Sequence, residues 1–402
     1  MLNIKNKLLL IFISFAFIYM GISDSLVGMI NKSLSLYFHN SGSYFVALNG
    51  FILVIAVLFS VLYRYIAKFL TIKSIFLMVF ILFTLLNSGL YLSLEIKSIY
   101  LYSMFTLMLG IPIGVVYPLL NEGLYLLSNN QKQHFNLTCF EHALWSIGFF
   151  FGSIVINSII ELLDFKIVYL FMVIMSWLFF MAIWIKVKNI DRASNLKNGH
   201  LKLKTRKILI RNYFLVLLLG LTFTAITSFQ SSFEYWMPNY IKSLNYINPE
   251  FYGLIIGAYG IGQFISRVYF SVKFNLKQDI RTIISRLYCL LLLSVMILLF
   301  PLSEMALLSF CFLLGIFSGP IIPAIIADGM SDQANGSSEK AVSTIIAFGT
   351  LGPVVSIWFS SWVFYKISFQ YVCTLLFILV LIGFILYSIK SYFYKKPSVK
   401  NT

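Results

Sequence analysis

Asp24 is the ionisable residue best placed for proton chemistry, because it lies inside a long apolar stretch. Ser23 and Ser25 flank it, and Gly21 and Gly28 lie close by. If this stretch crosses a membrane, a charged side chain within it costs about 2.5–3.5 kcal/mol, so an acid there is a functional candidate. We predict that Asp24 binds and releases a coupling proton. The alternative is an acid at the membrane interface, wetted by an outer vestibule.

Three more polar residues lie in apolar stretches further along the chain. Glu122, which follows Asn121, either lines a cavity and takes part in proton coupling or pairs with a cation at the cytoplasmic surface. The ring of His142 titrates near neutrality and can hydrogen-bond a substrate. Its alternative role is a hydrogen bond at a helix end.

Amides and indoles provide the groups that recognise a sugar, which needs hydrogen-bond donors and acceptors together with aromatic faces. Asn121 and Gln230 offer amides, and Trp145 and Trp236 offer rings for stacking. The alternative for each amide is a buried side chain bonded only to nearby backbone.

Two further acids are predicted to be structural. Glu234 stands two residues before Trp236, near the outer end of its stretch, which favours an interfacial pair. Asp328, near the inner end of another stretch, is predicted to pair with Arg267 or Arg286.

The sequence does not indicate an enzyme or a metalloprotein. It has no Gly-x-x-x-x-Gly-Lys-[Ser/Thr] phosphate loop, so we do not expect ATP-driven pumping. The four cysteines lie in apolar stretches without a close-spaced pair, and the four histidines are scattered, so no metal-binding spacing is present. We expect no cofactor.

The elements that must position these residues are membrane helices. The 402 residues are 60% hydrophobic and 11% charged, whereas a soluble domain has about 25% charged residues. A spanning helix needs about 20 mostly apolar residues. We predict twelve spans: 8–30, 44–63, 74–94, 99–127, 137–160, 167–187, 213–237, 251–271, 282–300, 305–329, 341–365 and 369–389.

The basic residues give this bundle an orientation. Of the 30 Lys and Arg, 23 lie in segments on the side of the N-terminus and 5 on the other side. Basic residues are retained on the cytoplasmic side, so both termini are predicted to be cytoplasmic in a multi-pass protein of the cell membrane. The net charge of +16 therefore mostly reflects basic residues on the cytoplasmic side of the membrane, and nothing supports a nucleic-acid partner.

A repeated motif divides the chain into two related halves. Gly110, Gly114 and Pro118 of span 4 recur 205 residues later in span 10, in the stretch 314–323. Equal topology on both sides of a basic segment indicates parallel repeats. We predict an N-terminal six-helix bundle at 1–187, a cytoplasmic linker at 188–212 and a C-terminal six-helix bundle at 213–402.

Twelve spans in two halves resemble the major facilitator superfamily, and local motifs resemble its fucose-permease-like sugar symporters. Residues 136–155 contain His-Ala-Leu-Trp-Ser-Ile-Gly, similar to the start of span 5 in that group. Residues 315–323, 230–241 and 259–267 are similar to its motifs in spans 10, 7 and 8, and Asp24 falls where the group has an acid in span 1. The resemblance implies substrate roles for Asn121 and Gln230, and for His142 with Trp145 and Trp236.

The sequence also departs from that group. Gln230 stands where the group has a glutamate, and Tyr117 stands where fucose permease has an acid. Of the superfamily's motif in the loop between spans 2 and 3, this sequence keeps only the basic residues, Arg64, Lys68 and Lys73. Two expected protonatable positions are thus absent.

The combined prediction is an all-α membrane transporter that works as a monomer by alternating access. It would move a small polar solute, sugar-like by resemblance, with protons coupled through Asp24 and Glu122. The alternative is a proton-driven exporter of a siderophore, a drug or an amphipathic metabolite.

Overall fold

The regular structure in the described part of this chain is helical. The computed structural model describes residues 4–128, 131–186, 210–244, 246–273, 280–298, 300, 302–331, 338–366 and 369–395. The spans of the first half are Ile4–Tyr37, Gly42–Phe69, Ile72–Glu95, Ile99–Met108 continued by Gly110–Leu127, Gln131–Leu162 and Ile167–Lys186. Those of the second half are Ile210–Ser243, Tyr252–Lys273, Ile280–Ile297, Glu304–Ser318 continued by Ile321–Ser331, Ser338–Lys366 and Phe369–Lys395. The predicted fold class is confirmed.

Ten helices in the described part of the chain are long and apolar enough to cross a membrane. Span 8 is not among them, and span 11 contributes a shorter apolar helix, Phe348–Ser360. Span 8 carries Tyr259, Gln263 and Arg267, all buried, and packs between spans 5 and 10. A helix that buries most of its surface against other helices needs only a narrow lipid-facing surface, which accounts for its polar composition.

The repeated glycines hold equivalent helix pairs together in the two halves. A β-carbon on Gly114 would lie 2.2 Å from the carbonyl oxygen of Ala56 in span 2. A β-carbon on Gly315 would lie 2.1 Å from the carbonyl oxygen of Tyr259 in span 8. Small residues permit such close backbone approach between membrane helices. The pairs 2–4 and 8–10 are therefore packed by the same device.

The other main contacts repeat in the same way. Span 1 packs on span 5 and span 3 on span 6, just as span 7 packs on span 11 and span 9 on span 12. This correspondence supports two halves of equal topology. The exact domain boundaries stay a prediction, and most of the predicted linker 188–212 lies outside the described residues.

The two halves meet away from the termini. We call the end of the bundle where span 1 begins and span 12 ends the termini face, and the other end the opposite face. Near the opposite face, Gly50 of span 2 receives the indole of Trp358 from span 11. Lys242 Nζ donates to the carbonyl of Met29 at 3.0 Å, joining spans 7 and 1. The described conformation is therefore closed at the opposite face.

Candidate functional site

A cavity of about 330 Å³ lies between the two halves. Side chains from all six spans of the first half line it on one side, and side chains from spans 7, 8, 10 and 11 line it on the other. Most of the lining is apolar. Three charged side chains are part of it: Asp24, Glu234 and Arg267.

Asp24 is held by two donors from the first half. Trp145 Nε1 donates to Asp24 Oδ2 at 2.9 Å, and the hydroxyl of Tyr117 donates to the same oxygen at 3.1 Å. Spans 1 and 5 approach closely enough for this because a β-carbon on Gly21 would lie only 2.0 Å from the carbonyl oxygen of Trp145. Tyr117, which stands where fucose permease has an acid, is thus a hydrogen-bond partner of Asp24.

Arg267 crosses from span 8 to span 5 and is 1% exposed. Its Nε donates to the carbonyl of Gly319 at 2.8 Å, and its Nη1 donates to the carbonyl of His142 at 2.9 Å and to the hydroxyl of Ser146. The guanidinium also lies 5.5 Å from the centre of the Trp145 ring, a cation–π distance. Arg267 therefore ties both halves to the indole that holds Asp24.

Asp328 does not pair with Arg267 in this arrangement. Its Oδ2 accepts from Lys390 Nζ at 2.7 Å and from the Tyr387 hydroxyl at 2.8 Å, and its Oδ1 lies 3.5 Å from Arg281 Nε. The predicted structural role fits this geometry, but the described ion pairs use different cations. The guanidinium of Arg267 instead donates to the carbonyls of Gly319 and His142.

Glu234 is the cavity residue that sequence reasoning misplaced. It lines the cavity, and none of the described groups hydrogen-bonds its buried Oε1. A signal was available, since Thr227, Gln230 and Glu234 follow at spacings that share one helix face, and all three line the cavity.

The predicted amides and the imidazole also line the cavity. Asn121 Nδ2 donates to the carbonyl of Tyr117 at 2.9 Å, one turn earlier in its own helix. Gln230 Nε2 lies 3.5 Å from the carbonyl of Ser318. The ring of His142 packs 5.3 Å from that of Phe17. Each side chain keeps one face towards the cavity while a neighbouring group holds its orientation.

Two predicted site residues are not part of the cavity lining. Glu122 accepts a hydrogen bond from the hydroxyl of Tyr63 in span 2. Trp236 is 1% exposed, and its Nε1 donates to Ser360 Oγ at 2.8 Å. Both side chains are engaged in packing between neighbouring helices, so we leave them out of the proposed site.

This arrangement provides a cavity with an acid on its wall. In the described residues no group of His, Cys, Asp and Glu is suitable for a metal ion. An acid that faces an enclosed apolar cavity changes its hydration when the cavity opens, and its proton occupancy changes with it.

Comparison with known proteins agrees with the architecture. The human organic anion transporter MFSD10 (TETRAN) superposes with a TM-score of 0.69 at 11% identity, covering 95% of this chain and 98% of that one. The transporter FucP in the outward conformation superposes at 0.65 with 14% identity, covering 96% and 98%. A variant of the E. coli fucose:proton symporter FucP gives 0.63 and 14%, covering 96% and 99%.

At these identities the structural likeness establishes the fold alone, and a comparison with curated sequences finds no match. The family model of the Major Facilitator Superfamily, however, matches residues 11–338, which is most of the chain. The match and the twelve-span fold agree with the resemblance found in the motifs. This chain belongs to the Major Facilitator Superfamily.

Proposed function

We propose that this protein is a proton-coupled secondary active transporter that moves a small polar organic solute across the cell membrane by alternating access. The observation that carries the proposal is Asp24 on the wall of a cavity between the halves, held by Trp145 and Tyr117. Opening the cavity to one side or the other exposes this carboxyl to different proton concentrations. In the proposed arrangement the chain acts as a monomer with both termini in the cytoplasm.

A monosaccharide is the first substrate candidate. The sequence motifs shared with fucose-permease-like symporters support it, as does the fold shared with the E. coli fucose:proton symporter. Asn121 and Gln230 would hydrogen-bond the hydroxyls, His142 would add a further polar contact, and Trp145 would supply an aromatic face.

Export of an amphipathic metabolite, siderophore or drug is the second candidate. The observation that favours it is the wall of the cavity, where aliphatic and aromatic side chains outnumber the polar ones. Substrate-binding pockets of this kind orient a largely apolar molecule through a few polar contacts.

The experiment that tests the proposal has two stages. A thermal-shift screen of the purified protein against sugars, amino acids and siderophore-like acids identifies a stabilising solute, because a ligand of the folded state raises its melting temperature. Flux of that solute is then measured in proteoliposomes with and without an imposed pH gradient. The proposal predicts flux that follows the gradient, and flux that ignores the gradient would contradict it.

A further inference from the structure

Among the charged residues of the described cavity wall, Glu234 has a carboxyl oxygen that no described group hydrogen-bonds. Its Oε1 is buried and has no hydrogen-bond partner among the described residues. Its backbone is fixed against span 1, since a β-carbon on Gly28 would lie 2.8 Å from the carbonyl oxygen of Glu234. A carboxylate enclosed in this way is costly unless a partner supplies a proton donor or a positive charge.

The neighbouring charges do not provide that partner. Asp24, the other acid of the described wall, carries the same charge when it is ionised. The Arg267 guanidinium donates its described hydrogen bonds to Gly319, His142 and Ser146 instead. With two acids and one arginine on its wall, the cavity has an excess of one negative charge when both acids are ionised.

Several amides of the cavity wall already donate hydrogen bonds within the protein. Asn31 Nδ2 donates to the hydroxyl of Tyr235, and Asn87 Nδ2 donates to the carbonyl of Phe83 at 2.8 Å. The amide of Asn121 is bonded to its own helix. Beside the amides of Asn121 and Gln230, the cavity therefore offers a ligand a buried carboxyl oxygen of Glu234 and a broad apolar surface.

Aromatic rings line the same cavity as this carboxylate. They include Tyr117, Trp145 and Tyr235. Aromatic faces attract cations, by about 0.5–1 kcal/mol at exposed sites and by about 2 kcal/mol where water is excluded. An anion would instead face two carboxylates.

We propose that the cavity binds an amphipathic organic monocation, with its cationic head against the Glu234 carboxylate and its apolar body along the aliphatic and aromatic wall. The inference rests on the proposed transport function and narrows its second substrate candidate to one charge class. It makes Glu234 a substrate-binding residue and leaves the proton site at Asp24.

The test is equilibrium binding to the purified full-length protein, measured by titration calorimetry. The probe is benzyltrimethylammonium, a permanently charged aromatic cation, and D-galactose and benzoate serve as neutral and anionic probes. The key variant is Glu234→Gln, which removes the charge and keeps the shape. The matched control is Glu250→Gln, because Glu250 is an exposed acid outside the cavity lining.

We expect the unaltered chain and Glu250→Gln to bind the cation equally and Glu234→Gln to bind it about 30-fold more weakly or worse, as when one partner of a desolvated charge pair is removed. If Glu234→Gln fails to fold in a melting assay, Glu234→Asp replaces it. Because Asp keeps the charge on a shorter side chain, we expect weakened but measurable binding of the cation with no gain for galactose.

Three results would overturn the inference: no binding of the cation to the unaltered chain, equal binding to Glu234→Gln, or tighter binding of benzoate or galactose than of the cation. Failure of the transport proposal looks different. Cation binding without proton-linked flux contradicts the transport function alone, whereas proton-linked galactose flux without cation binding contradicts this inference alone.

Discussion

Replacing Gly50 with alanine is expected to drive the protein out of the conformation that is closed at the opposite face. A β-carbon at this position would lie 1.5 Å from Trp358 Nε1 and 2.2 Å from Trp358 Cδ1. Gly50 belongs to span 2 and Trp358 to span 11, so the clash exists only while the two halves are in contact at this face.

The size of the effect follows from the contacts of the indole. Carbon atoms pack at about 3.5–4.0 Å, so the ring must move by about 2 Å. That movement breaks the 3.4 Å hydrogen bond from Trp358 Nε1 to the carbonyl of Ala47 and disturbs the edge-to-face contact with Phe51 at 5.1 Å. Overpacking of this kind costs about 1–3 kcal/mol. Because the cost falls on one conformation, it shifts the conformational equilibrium by about 5–150-fold.

Thiol labelling from the opposite face measures this shift. Ser231 lines the cavity, so Ser231→Cys, in a background with the four native cysteines replaced by alanine, reports access to a membrane-impermeant maleimide. We expect Gly50→Ala to raise the labelling rate by about 5–150-fold.

The control for this experiment is Gly89→Ala. Its β-carbon would lie 2.7 Å from the Phe105 ring within the first half, so it strains both conformations alike and should leave the labelling rate unchanged. A rate that is unaltered or lower in Gly50→Ala, or that rises equally in Gly89→Ala, would refute the reasoning.

Two further predictions concern buried polar contacts. Lys390→Met should lower the free energy of unfolding by about 3 kcal/mol, because it breaks a buried ion pair with Asp328. This value is at the lower end of the range for such pairs, since other groups still contact Asp328. An unchanged melting temperature would contradict the prediction. Trp145→Phe removes a donor from Asp24 and should reduce the transport rate. Trp236→Phe, by contrast, removes only a hydrogen bond between packed helices, so it should cost about 1 kcal/mol of stability and leave the transport rate unchanged. If flux assays show a larger loss of transport for Trp236→Phe than for Trp145→Phe, the proposed site is excluded.

The sequence predicts the helices of this protein well because the signal is local. Each span is a long apolar run, and the repeated Gly110 and Gly114 motif indicates where backbones approach. The break in span 10 was not predicted. There the helix ends at Ser318 and resumes at Ile321, around Pro320, which lacks a backbone donor.

Site prediction depends on which face of a helix meets which neighbour, and that is not local. Asp24 could be predicted as a candidate from its charge alone, but its partners Trp145 and Tyr117 come from spans 5 and 4. Glu234 was predicted to lie at the interface because it is near the outer end of its apolar stretch. Its place on the cavity wall depends instead on how spans 1 and 7 pack. Trp236, two residues further on, points away from the cavity, since two residues turn a helix by more than half a circle.

The most direct test of the account is proton movement through Asp24. Proteoliposomes containing a trapped pH dye are exposed to a solute that stabilises the protein, or to benzyltrimethylammonium, with no pH gradient imposed. We predict that the solute gradient drives a pH change in the unaltered chain and that Asp24→Asn binds the solute but moves no protons. Solute-driven proton flux that survives in Asp24→Asn would contradict the account.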